Sequence, residues 1–420
     1  MFHSTTDVYR VKRKSVQFAK SIVSKAGQVE SKFVIQSIYG ILKSGSIILK
    51  DIAVALNEPV QVKNTIERLS RNLGRSLSPS ILSRYTQKVV KALGKEPLIL
   101  VDDSDVIKPH GRAFEALGKV RDGSSKDHKI EKGYHVTEIV GLSANQKQPI
   151  SLFSRIHSSW EKSYKSTNEV LFQGLNFVIS HLKRNATFVF DRGYDMNALF
   201  DFMHQKKQQY IVRLTENRKI FWKGKWFKST VLRDSRKGKI KTTLTFKENG
   251  KVKKETIYVS HLNVKITAGK RSIRLVLVYG LGEKPMMLAT NKVIRGKKDA
   301  IQIVRAYMSR WRIEEYFRFK KQHFGFEDFR VRSLTSMNNL NQLLTYAMGM
   351  LGLLADESEH SGLFQRLIHN SRALRKDIRF YYYQLAEGIS ATLSHARTGI
   401  KDWIPIRNTG PRQLTLKLVC

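Results

Sequence analysis

Five residues, Tyr307, Arg310, Glu314, Arg318 and Lys321, are spaced 3, 4, 4 and 3 positions apart. On a helix turning roughly 100° per residue they fall within an arc of about 80° and share one face. That face offers a phenol, three cations and a single carboxylate. A solvated row of i,i+4 ion pairs would explain the charges, but not one acid set among three bases. Two more acid groups follow apolar runs: Asp102-Asp103-Ser104-Asp105 after Leu98-Ile99-Leu100-Val101, and Asp191-Arg192-Gly193-Tyr194-Asp195 after Ala186 to Phe190. Both runs read as buried strands, and ligands of open α/β sheets sit beyond the carboxyl ends of strands. An Asp there also serves as an N-cap or turn residue. Either group alone therefore decides little; the two together with the striped face point to one crevice.

Three carboxylates around a crevice, without cysteine or clustered histidine, suit a hard cation such as Mg²⁺ or Mn²⁺ better than Zn²⁺. Two such ions can clamp the attacking and leaving oxygens of a phosphodiester displacement. Arg310, Arg318 and Lys321 would then hold phosphates beside the scissile bond. The composition agrees. The 420 residues carry 75 Lys plus Arg against 35 Asp plus Glu, a net charge of +40. A chain this basic calls for a polyanion, of which nucleic acid is the commonest. The one cysteine, Cys420, excludes internal disulfides and Cys-based metal sites. No run of eighteen apolar residues occurs and the first residues lack an apolar h-region, so a soluble, cytoplasmic protein is expected. The twelve histidines are scattered: His110, His128 and His135 show no ligand spacing, and His204 reads as structural. Gly118, Gly123 and Gly133 form no phosphate loop, and no G-x-x-x-x-G-K-[ST] occurs, which disfavours an ATP-driven motor.

The elements that must hold these residues differ along the chain. Residues 1–92 carry short amphipathic patterns with turns near Gly45 and Pro59, as expected of a small helical DNA-binding domain. Residues 93–336 form a core in which strands alternate with helices, implying an α/β sheet covered on its faces. Strands are expected at Leu98–Val101, Tyr134–Leu142, Pro149–Ile156, Ala186–Phe190 and Tyr210–Leu214, with helices at Glu169–Leu182 and Asn197–Gln205. A β-rich insertion at about 216–272 interrupts this core; Glu216 to Lys270 holds 16 bases and 4 acids. The sheet pattern resumes at Arg274–Tyr279 and Met286–Thr290. One long helix is expected from Lys298 to about Phe324, and residues 337–420 read as helical, for dimerisation or DNA contact.

The spacing Tyr307, Arg310, Glu314, Lys321 matches the Y-(2)-R-(3)-E-(6)-K signature of DDE transposases of the insertion-sequence-4 family. The surrounding Tyr307-Met308-Ser309-Arg310-Trp311-Arg312-Ile313-Glu314 resembles that family's third catalytic block. Asp102-Asp103-Ser104, followed by Lys108-Pro109, resembles the first block, Asp-x-Ser/Thr after a strand, and Asp191-Arg192-Gly193-Tyr194 the second. The similarity spans roughly residues 95 to 345. It implies an RNase-H-like mixed-sheet core with a β insertion between the second Asp and the Glu. It implies cut-and-paste transposition: cleavage at terminal inverted repeats of double-stranded DNA, then transfer of a 3′-hydroxyl into target DNA. By the resemblance, Asp102, Asp191 and Glu314 are the catalytic residues and ligands of Mg²⁺, with Mn²⁺ substituting. Tyr307, Arg310, Arg318, Lys321 and Arg213 contact DNA. A homodimer would synapse two DNA ends in the bacterial nucleoid.

Hairpin-forming relatives place an aromatic near a Leu-Ala-Thr strand. Here Lys284-Pro285-Met286-Met287-Leu288-Ala289-Thr290 carries methionine instead. Two other functions share these features: an RNase-H-like nuclease that cuts without joining, and a non-catalytic DNA-binding protein derived from a transposase. A pure binder has no need of Glu314, so alanine at that position separates binder from enzyme.

Overall fold

The computed structural model describes residues 5–121, 123, 127, 129–145, 147–248, 251–357, 362–371 and 380–404; His128 and Cys420 lie outside them. Five helices come first: α1 (Thr5–Ile22), α2 (Gln28–Ser44), α3 (Leu49–Leu56), α4 (Val62–Leu73) and α5 (Pro79–Val90). Strands β1 (Leu98–Ile107), β2 (Gly118–Arg121), β3 (Ile130–Leu142) and β4 (Pro149–His157) follow, then α6 (Thr167–Leu182), β5 (Thr187–Phe190), α7 (Asn197–Gln205) and β6 (Gln209–Arg213). Next come β7 (Lys219–Trp222), β8 (Lys225–Lys228), α8 (Ser229–Asp234), β9 (Ile240–Glu248), β10 (Lys251–Ile266), β11 (Arg271–Tyr279) and β12 (Met286–Thr290). The chain continues through α9 (Lys297–Met308), α10 (Trp311–Phe324), α11 (Leu334–Asp356), α12 (Gly362–Asn370) and α13 (Tyr382–Ser394).

All twelve strands join one mixed sheet, ordered β2-β3-β1-β5-β6-β12-β11-β10-β7-β8, with β4 on β3 and β9 on β10. β1 runs antiparallel to β3 and parallel to β5, and β5 runs parallel to β6. The central strands read as unbroken apolar runs because both faces are covered: Leu100, Val101, Phe188, Val189, Phe190, Ile211 and Val212 are all fully buried. Ser166 caps α6 by accepting from the Glu169 N–H at 3.2 Å. The β7–β8 hairpin turns on Lys223 and Gly224, both at positive φ (47° and 80°), the geometry a two-residue hairpin requires. The first and last helices pack together: α2 meets both α11 and α13, and α11 lies on β4. The Tyr85 hydroxyl of α5 donates to the carbonyls of Ser151 and Thr345, joining β4 to α11.

Two expectations need correction, and one strand was not expected. The acids of the first block do not follow a strand: β1 continues through them to Ile107, because β3 pairs with it along its length from Ile99↔Gly141 to Ile107↔Gly133. The helix expected over 298–324 is two helices. At the junction the Ser309 N–H is shared between the Arg305 and Ala306 carbonyls, the Arg310 N–H turns to Tyr307 O, and the Ser309 hydroxyl bonds back to Arg305 O. The ladder tightens there from i−4 to i−3 partners and the axis breaks. Finally, β2 is a four-residue edge strand that its sequence, Gly-Lys-Val-Arg, does not announce.

Candidate active site

The parallel pairing of β1 with β5 stops at the rung Val101↔Phe190. The next residue on each strand is an aspartate, so Asp102 and Asp191 emerge side by side where β5 leaves the sheet. Asp191 is extended (φ −76°, ψ 177°) before a 3₁₀ turn over Arg192–Tyr194. Across β1 and β3, Asp102 is paired with Glu138 and Asp103 with Thr137. Paired residues share a face and neighbours alternate, so Asp102 and Asp103 point to opposite sides of the sheet.

The break between α9 and α10 brings the third acid in. Arg310, in that break, donates from Nη1 to Asp102 Oδ2 at 2.9 Å and from Nη2 to Glu314 Oε1 at 2.5 Å. One guanidinium thus spans the first and third acids. The buried Tyr307 hydroxyl donates to Asp191 Oδ1 at 3.2 Å, with Arg213 beside it. Arg213 sits at the end of β6, one strand beyond β5. Asp102, Asp191, Glu314, Tyr307, Arg310 and Arg213 therefore form one cluster. Arg318 is exposed further along α10, and Lys321 pairs with Glu327 at 3.2 Å. These two flank the cluster and do not enter it.

Burial dominates the electrostatics. The Asp102 carboxyl is pushed up to about 7, first by desolvation and then by the nearby charges of Asp191 and Asp103, against the pull of Arg310. Burial also raises Asp103, although the Thr137 hydroxyl donates to it at 2.6 Å. The Tyr307 phenol is raised by burial and by Asp191. Asp102, Asp103 and Asp191 line a cavity of about 230 Å³ together with Thr167, Asn168 and Tyr194. Another cavity, about 170 Å³, lies at the opposite end of the same strands around Leu98, Thr187 and Lys292 and contains no candidate residue.

Whether the acids suit a cation can be tested on this geometry. Their donors are all carboxylate oxygens, the kind Mg²⁺ and Mn²⁺ prefer, and Asp102, held near 7 by desolvation and by Asp191 and Asp103, gains from a positive charge. Arg310 already supplies one, from between Asp102 and Glu314. Among the described residues, no three acid, histidine or cysteine side chains are arranged to hold a metal ion. The donors fit in kind, and binding a cation between Asp102 and Glu314 requires Arg310 to move.

Sequence reasoning passed over the groups behind these acids. On the Asp103 face, the Thr137 hydroxyl also meets His157 Nε2 at 2.9 Å, and His135 lies 3.4 Å from Asp105. On the Asp102 face, Glu138 is fully buried with Lys320 of α10. The available signal was His135 and Thr137-Glu138 inside the strand-like run Tyr134–Leu142. His204 meets Tyr210 at 3.2 Å, a structural contact. Trp222 packs on Phe227, while Trp226 stands 45% exposed in the hairpin. Met286 and Met287 are buried in β12. Among the described residues no helix is long and apolar enough to cross a membrane.

Residues 165–348 match a family model described as the transposase DDE domain, a stretch containing Asp191, Arg213 and the whole Tyr307–Lys321 segment. The match supports a DDE transposase. Among solved structures, the chain aligns with a piggyBac transposase synaptic complex with hairpin DNA at 9% identity and a TM-score of 0.42, over 96% of this chain and 84% of that one. It also aligns with the NurA nuclease of Sulfolobus solfataricus at 10% identity and a TM-score of 0.24, over 62% of this chain and 93% of that one.

Proposed function

We propose that this protein is a DNA transposase of the insertion-sequence-4 type, which cleaves at terminal inverted repeats and transfers the 3′-hydroxyl into target DNA. The observation that carries this is the rung after Val101↔Phe190, which sets Asp102 beside Asp191, with Glu314 returned to Asp102 through Arg310. The strand order β4-β3-β1-β5-β6, three antiparallel and then two parallel, supports the RNase-H-like core that the resemblance implies. Asp102, Asp191 and Glu314 would hold Mg²⁺ or Mn²⁺; Asp103 borders the same cavity but is engaged by the Thr137 hydroxyl on the other face of β1. Bound there, the cations would lower the pKa of the attacking hydroxyl and neutralise charge on the leaving oxygen.

The chain's own residues do the rest. DNA phosphate offers Arg310 a competing bidentate acceptor, so DNA entry draws the guanidinium off Asp102 and Glu314. Arg213 and Tyr307 hold the phosphate nearest Asp191, while Arg318 and Lys321 of α10 grip the backbone beyond. The basic strands β7–β10 add charge along the duplex. In this reading residues 1–92 bind DNA, 93–336 form the catalytic core, and 337–420 serve dimerisation or DNA contact in a synaptic homodimer. Incubating the protein with labelled element ends and a target plasmid tests the proposal. Joined products, lost in Glu314→Ala while DNA affinity persists, are expected; cut ends that never join would leave a nuclease.

A further inference from the structure

Among the described residues, a fully buried pair of charges lies one strand away from the acids. Glu138 and Lys320 form an ion pair at 2.9 Å with both side chains at 0% exposure. Lys320 Nζ also donates to Ser154 Oγ at 3.2 Å and sits 4.4 Å from the Phe326 ring centroid. The hydroxyls of Ser151 and Ser154 both donate to Glu138, and Asn341 of α11 donates to Ser154 at 2.8 Å. In a regular strand residues three apart face opposite ways. A bulge makes this double contact possible: Ile139 is opposite Phe153 and Val140 opposite Ser151, leaving Leu152 as the extra residue.

Stability alone is a poor reason for such a pair, since apolar replacement of both members is often neutral, whereas breaking one costs about 3–5 kcal/mol. Register is a better one. α10 rests on the protein through Ile313, Tyr316, Phe317, Phe319 and Phe324, with Phe319 against the rings of Phe380, Tyr382 and Tyr383; the ion pair adds a directional polar contact to this apolar surface. Glu138 is the β3 partner of Asp102. Lys320 lies six residues after Glu314, about 9 Å along the helix axis. The pair thus ties the helix that carries Glu314 to the rung that carries Asp102. A slip of one turn, about 5.4 Å, would take Glu314 out of reach of any group shared with Asp102.

We propose that Glu138 and Lys320 are positioning residues that lock the register of α10 against the β1–β3 rung, so that Glu314 meets Asp102 and Asp191. This rests on the transposase reading for its functional consequence, but not for its structural one.

The test uses the full chain with Glu138→Met/Lys320→Met, which removes both charges together. Three readouts apply: thermal melting, Mn²⁺ affinity from the paramagnetic resonance of free Mn²⁺, and a spin-label distance between Lys119→Cys on β2 and Gln322→Cys on α10 in a Cys420→Ser background. The expected result is a double variant melting near wild type, with a shifted or broadened distance and at least tenfold weaker Mn²⁺ binding. A folded double variant with unchanged distance and unchanged Mn²⁺ affinity overturns the proposal. If the double variant does not fold, Glu138→Gln carries the distance and Mn²⁺ readouts with the same expectations, and its melting temperature falls because Lys320 is left buried without its partner. If wild type binds no Mn²⁺ without DNA, Arg310 has kept its place between Asp102 and Glu314, and the distance alone then decides the lock.

Discussion

Acid should unfold this protein sooner than its carboxylates alone dictate, because of His157. The Thr137 hydroxyl gives its proton to Asp103 at 2.6 Å, so it accepts from His157 Nε2, which must carry the imidazole proton. Nδ1 is buried without a partner among the described groups, and the residue is 0% exposed. Burial, then the charges of His135 and Arg155, lower its pKa from 6.5 to about 3. The unfolded chain therefore takes up this proton below about pH 6.5, while the folded chain resists until about pH 3. The contribution is intact above pH 6.5 and fades as pH falls, by about 2 kcal/mol at pH 5 and about 4 kcal/mol near pH 3. Urea unfolding at pH 7.5, 6 and 5 measures it. His157→Gln keeps a donor for Thr137 and cannot titrate, so it should lose about 2 kcal/mol less than wild type between pH 7.5 and 5. Part of the slope will persist, because burial also lowers His323 to about 4. Equal losses in wild type and variant would refute the buried neutral imidazole.

The metal-free Asp102 carboxyl should titrate near 7 by carbon NMR, and Arg310→Gln should raise that midpoint, because Arg310 is the group pulling it down. An unchanged midpoint would mean that Arg310 does not face Asp102. Arg318→Ala, at an exposed position on α10, should weaken DNA binding on any sequence and flatten the log–log salt slope by about 1. An unaltered slope would place Arg318 off the DNA path. Gly388 on α13 has no room for a methyl group, since a Cβ there would lie 2.0 Å from the Leu367 carbonyl of α12. Gly388→Ala should cost about 1–3 kcal/mol of stability, read as a lower melting temperature, while an unchanged melt would show that the two helices separate freely.

Local pattern carried much of this structure. The run Ala186–Phe190 marks β5, the Lys223-Gly224 pair marks a hairpin, and methionine-to-threonine 286–290 marks β12, because apolar runs and turn residues act over a few positions. The stripe from Tyr307 to Lys321 was legible as spacing, yet its geometry was not. An unbroken helix would carry all five on one face, whereas the break at Ser309-Arg310 sends Tyr307 to Asp191, Arg310 to Asp102, and leaves Arg318 in solvent. Hydrogen-bond sharing at that break depends on what the two helices dock against, which no local window contains. For the same reason β1 outran its expected end: its continuation is imposed by β3, more than twenty residues downstream. Glu138 and Lys320 are 182 positions apart, and only the packing of α10 on the sheet shows them to be partners.

The most direct test of the three-carboxylate account uses purified protein and a labelled duplex bearing the element's own ends, with Mg²⁺ or with EDTA. Asp102→Ala, Asp191→Ala and Glu314→Ala run alongside. Metal-dependent nicking at the element boundary, absent from all three variants while each still binds the duplex, is the predicted result. Binding without nicking in wild type, unchanged by any of the three substitutions, would contradict it and leave a DNA-binding protein whose acids only hold the fold.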